Sequence, residues 1–85
     1  MSKKIQIIEK KLGRERFNKQ HVIGLCYENG KIFIDPRQIP KDYLGSLIHE
    51  CIHYSFKDMT EEEVLRGEKI ILNVLWKQGY RKVIL

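Results

Sequence analysis

KDYLGSLIHECIHYSFKDMTEEEVLRGEK, residues 41–69, holds the most concentrated chemistry of the chain and sets the architecture of its second half. Leu44, Leu47, Ile48, Cys51 and Ser55 recur at helical spacing, which predicts an amphipathic helix over 41–57. His49 and His53 fall together on another side of that helix. Thr60 followed by Glu63 reads as a capping box, and acidic residues in a first turn suit the positive end of a helix dipole. With Gly79 placed to terminate it, a second helix is expected over 61–78. So short a connection makes the two helices antiparallel neighbours.

Upstream of these helices the hydrophobic period is two rather than 3.6. HVIGLCYENGKIFID, residues 21–35, places two strand-like runs around Asn29-Gly30, a pair suited to a two-residue type I′ turn, and so predicts a β-hairpin. KKIQII, residues 3–8, supplies a further strand, and KKLGRERFNKQ reads as a polar connection. Pro36 and Pro40 end the sheet. The expected class is α+β: a small antiparallel sheet within 3–35, made of an N-terminal strand and a hairpin, then two antiparallel helices. The tail YRKVIL either adds a short strand or packs down.

Eighty-five residues bound the chain to one domain, 1–85, with a modest core. A composition of 42% apolar and 32% charged residues is that of a globular protein and excludes a disordered one. The start MSKKIQIIEKK lacks the apolar segment of a signal peptide and no run is long enough to span a bilayer, so a cytoplasmic protein without membrane association is expected. Cys26 and Cys51 are isolated, which fits neither a disulfide framework nor a four-cysteine zinc site; both are expected as buried thiols. The net charge of +5 would attract nucleic acid. Its lysines and arginines, however, alternate with apolar residues or sit in turns without stacking aromatics between them, so a solvated face is preferred.

HECIH, residues 49–53, has a specific chemical meaning on a helix. Side chains four apart project from one face, so His49 and His53 can aim two imidazoles at one point. Two imidazoles suit Zn²⁺, one ion per chain, with a corner left for water. Glu50 is rotated from His49 by one residue, which sets it beside the ion as a general base for the bound water. A third ligand is available on the second helix, where both Glu61 and Glu68 fall near the middle of the apolar face while Glu62 and Glu63 point away. A carboxylate within a buried stripe needs a cation or a metal. Height along an antiparallel hairpin favours Glu68; Glu61 reaches the site only if the first helix stops early. A salt bridge to a basic residue of the strands is the alternative for Glu68. Gly67 offers room for close helix approach.

With HExxH on one helix and a glutamate on the next, the chain resembles a minimal zinc metallopeptidase of the gluzincin type. More loosely, IDPRQIPKDYLGSLIHECIHYSF is similar to the active-site region of SprT-like and ImmA/IrrE-type peptidases and of small phage-encoded metallopeptidases. The resemblance covers about residues 31–80 and only HECIH within it is specific. It implies His49 and His53 as ligands, Glu50 as general base, a glutamate of the second helix as third ligand, and a peptide or protein substrate paired along an edge strand, for which KIFID is a candidate. Carbonyl stabilisation would fall to Tyr54, Tyr80 or His21. Two other expectations stand beside the peptidase: a catalytically silent zinc-binding or interaction module of the same fold, and a basic nucleic-acid-associated protein in which HECIH is accidental.

Overall fold

The computed structural model describes residues 4–12 and 24–83, and the backbone of 16–17 and 20–21. The chain is α+β. Its elements in order are β1 (Gln6–Glu9), β2 (Arg16–Phe17), β3 (Gln20–His21), β4 (Gly24–Cys26), β5 (Lys31–Ile34), α1 (Pro40–Ser55) and α2 (Glu61–Lys77). α1 packs on β4 and β5, and α2 packs on α1, giving the layer order sheet, α1, α2.

The sheet runs β1-β5-β4 and is mixed, not purely antiparallel. β4 and β5 form the expected hairpin, pairing Gly24 with Ile34 and Cys26 with Ile32. β1 lies parallel to β5 on its other side, with Ile7 beside Ile32. The reason is topological: the chain leaves β1, returns on β4 in the opposite direction, and the hairpin then inserts β5 between them, aligned with β1. β5 alternates as its sequence requires, with Ile32 and Ile34 fully buried. Phe33, on the other face, meets the edge of Tyr27.

The expected hairpin range divides in two. Residues 24–34 make the β4–β5 hairpin, whereas β3 pairs back with β2, Arg16 opposite His21, inside the segment read as a polar connection. The β4–β5 turn is one residue longer than predicted: Tyr27 N–H donates to Lys31 O and Gly30 N–H to Tyr27 O, both at 3.0 Å, so Glu28–Gly30 form a three-residue loop. Gly30 takes the left-handed φ of 90° that such a loop requires. A Cβ there would also lie 2.7 Å from Lys4 O.

Asp35 anchors the passage from sheet to helix. Its buried carboxylate accepts from the backbone N–H groups of Leu12 and Arg37, both at 3.0 Å, and from the Arg37 guanidinium at 3.0 and 2.7 Å. That guanidinium holds the Asp35 carboxyl far below the usual carboxylate range. Pro40 then opens α1, where its missing N–H costs nothing. α1 ends at Ser55, two residues short of the expected 57. Thr60 caps α2 in the predicted capping box, with Thr60 Oγ1 accepting from Glu63 N–H and Glu63 Oε1 from Thr60 N–H. Gly79, at φ 88°, closes α2: its N–H donates to Trp76 O and that of Tyr80 to Leu75 O, the two bonds of a Schellman motif. Tyr80–Val83 form no strand; the tail packs down, with Arg81 over the Trp76 ring and Lys82 paired to Glu9.

Candidate metal centre

His49 and His53 stand one turn apart on α1 with ring centroids 4.8 Å from each other. Both rings face the start of α2. There Glu61, the first residue of that helix, bridges them: Oε1 lies 2.9 Å from His49 Nε2 and Oε2 lies 2.8 Å from His53 Nε2. Two local features put Glu61 in this place. α1 stops early at Ser55, and the capping box at Thr60 starts α2 immediately afterwards. The positive end of the α2 dipole also favours a carboxylate in its first turn.

Glu68, two turns further along α2, meets the other nitrogen of the same ring, its Oε1 lying 2.8 Å from His49 Nδ1. The imidazole of His49 is therefore held between two carboxylates and is only 15% exposed. Gly45 makes this possible, because a Cβ there would stand 3.0 Å from Glu68 Oε2 and 3.1 Å from Leu72 Cδ2. The close point between the helices is thus Gly45. Gly67, expected in that role, faces Ile52 at an ordinary 3.4 Å.

The donor chemistry fits a metal ion. When Glu68 accepts the Nδ1 proton of neutral His49, its Nε2 presents a lone pair toward Glu61, and a carboxylate is itself an acceptor. Acceptors that converge in this way need protons or a cation between them. His49, His53 and Glu61 each offer one atom within 4.8 Å of the others, a set of two nitrogens and one oxygen that matches a three-ligand zinc site. Zinc bonds of about 2.0–2.2 Å set tetrahedral donor atoms roughly 3.3–3.6 Å apart, so the Glu61–imidazole contacts of 2.9 and 2.8 Å would open by about half an ångström, and any pair near the 4.8 Å limit would close. Glu61 is 61% exposed, so one side of the group is open to solvent.

Glu50 lies against the sheet, close enough to the trio to interact with His49, His53 and Glu61, and is only 9% exposed. Its carboxylate presses on β4 at Gly24, where a Cβ would lie 2.9 Å from Oε2 and 3.1 Å from Cγ. Burial raises the Glu50 pKa, the imidazoles of His49 and His53 pull it back, and the carboxylates of Glu61 and Glu68 add to the rise. Cys26 and Cys51, expected as buried thiols, are free and partly buried, and burial pushes both thiols up.

The four candidate ligands singled out in the sequence, His49, His53, Glu61 and Glu68, thus come together, with Glu61 facing both Nε2 atoms and Glu68 behind His49. Of the carbonyl-stabilising candidates, Tyr54 packs its hydroxyl near Gly30 and Tyr80 lines an apolar cleft with Pro40, Leu44 and Trp76. The side chain of His21 lies outside the described residues. KIFID is not an edge: β5 is hydrogen-bonded on both sides, and the edge nearest the site is β4. Gly24 was missed in the sequence, although a glycine inside an apolar strand signals close approach of another group. No family model, curated protein or solved structure matches the chain. Among the described residues no helix is long and apolar enough to cross a membrane.

Proposed function

We propose that this chain is a zinc-dependent peptidase in which His49, His53 and Glu61 hold one ion and Glu50 is the general base. The observation that carries the proposal is the bridge from Glu61 to both Nε2 atoms, with a separate buried carboxylate one residue along α1 from the first ligand. A zinc ion in this place would polarise the scissile carbonyl and lower the pKa of its water.

The protein's own groups divide the remaining work. Glu68 fixes the ring orientation of His49 through Nδ1. Glu50 takes a proton from water as its oxygen adds to the carbonyl carbon, and delivers that proton to the departing amine nitrogen. The burial that raises its pKa makes it a stronger base than an exposed carboxylate, which suits the first half of this transfer. Gly24 keeps β4 close to Glu50, and β4 is an edge strand among the described residues, so an extended peptide can pair there beside the reacting groups.

A second reading has its own support: Tyr54 places its hydroxyl near Gly30 and Tyr80 lines the apolar cleft, so these two candidates for carbonyl stabilisation are engaged elsewhere, as expected of a zinc-binding module without turnover. One experiment separates the two. Under the peptidase proposal, zinc-loaded protein cleaves a quenched-fluorescence peptide library, and Glu50→Gln keeps about one zinc per chain while losing cleavage by at least 10²-fold. Zinc binding with no cleavage by the unaltered protein supports the silent module; absence of zinc binding removes both.

A further inference from the structure

Among the described residues α2 contacts no strand or helix other than α1, so the side of α2 turned away from α1 has no partner among these elements. On that side Ile70 is 59% exposed and Val74 55%. The side also has a pattern. Glu63, Ile70, Val74 and Lys77 stand at i, i+7, i+11 and i+14, the spacing of one seam between two packed helices. The ends of the seam carry opposite charges at equal distances from Ile70, Glu63 seven residues before it and Lys77 seven after.

We propose that this face binds a second copy of the chain, the two α2 helices lying antiparallel about a two-fold axis at Ile70. In that arrangement Glu63 of each copy meets Lys77 of the other, Ile70 meets Ile70, and Arg66 lies beside Val74 of the second copy. A parallel pairing would set Glu63 against Glu63 and Lys77 against Lys77, so the charge pattern selects the antiparallel one. The basic excess of the chain does not oppose the contact, because α2 itself holds four acidic and three basic residues. Glu61 and Glu68 lie on the α1-facing side of the helix, so pairing leaves the metal centre open.

A 17-residue helix is about 25 Å long, and the strip it presents is well below the ~800 Å² per partner of a standard interface. The dissociation constant is therefore expected on the order of 10–100 μM. Sedimentation equilibrium from low micromolar to about millimolar protein should show a reversible dimer, and Ile70→Lys should weaken it at least tenfold with unchanged helical circular dichroism, because Ile70 is 59% exposed. For orientation, Arg66→Cys and Val74→Cys are placed in chains with Cys26 and Cys51 replaced by alanine. Mild oxidation should cross-link a mixture of the two variants and neither variant with itself. A chain that stays monomeric throughout, a dimer indifferent to Ile70→Lys, or self-cross-linking of each variant without the mixed product would overturn the proposal.

Discussion

Gly24→Ala isolates the position of Glu50 from everything else in the centre. A Cβ on Gly24 would lie 2.9 Å from Glu50 Oε2 and 3.1 Å from Cγ. Restoring contact distances of about 3.5 Å moves the carboxylate by roughly 0.5–1 Å. A misplacement of that size costs a positioned catalytic group up to about 10²-fold, so kcat should fall about 30–100-fold, or ~2–2.7 kcal/mol in the barrier. Stability should change by less than about 1 kcal/mol, because what gives way is the end of a flexible side chain and alanine fits a strand. Zinc affinity should not change, since Glu50 is not among the three converging residues. The assay is kcat on a quenched-fluorescence peptide, with zinc stoichiometry and urea unfolding measured on the same preparation. A folded, zinc-loaded Gly24→Ala protein with unaltered turnover would refute the role given to Glu50, as would a loss of turnover that merely tracks loss of zinc.

Glu68→Gln should lower zinc affinity by about 10–100-fold, the usual effect of removing an outer carboxylate from a ligand histidine, and Glu61→Ala should lower it further; competition with a chromophoric chelator measures both. Gly45→Ala should gain about 1 kcal/mol of helix propensity and lose a similar amount by crowding Glu68 and Leu72, leaving stability within about 1 kcal/mol while zinc affinity falls in the direction of Glu68→Gln. Asp35→Asn should cost about 2 kcal/mol at neutral pH, less than a fully dry pair would lose because Arg37 is half-exposed. The carboxyl of Asp35 is depressed in the folded state, so the unfolded chain takes up its proton first as pH falls. Its contribution is complete above about pH 4 and fades below it, and urea unfolding should show Asp35→Asn approaching the unaltered protein in acid.

Helix ends were legible because each is marked by a residue whose chemistry acts locally: Pro40 at the start of α1, Thr60 with Glu63 at the start of α2, and Gly79 after its end. The parallel pairing of β1 was not, because it depends on β5 inserting between two strands already laid down, which no short-range signal reports. In the hairpin, Asn29-Gly30 marks a left-handed glycine under either loop length. The extra residue is decided by the register that turns Ile32 and Ile34 inward. In the candidate metal centre, helical spacing placed Glu61 and Glu68 on the face toward His49, but not which nitrogen each would take. That choice turned on a difference of two residues in the end of α1, which brought Glu61 to the Nε2 side.

The central claim is tested most directly by X-ray absorption at the zinc edge of the loaded protein, with Glu61→Ala beside it. Two imidazole nitrogens and further oxygen donors, with no sulfur and with one oxygen donor exchanged for solvent in the variant, are what His49, His53 and Glu61 should give. A sulfur donor from Cys26 or Cys51, a single imidazole, or a spectrum and affinity unaltered by Glu61→Ala would contradict it.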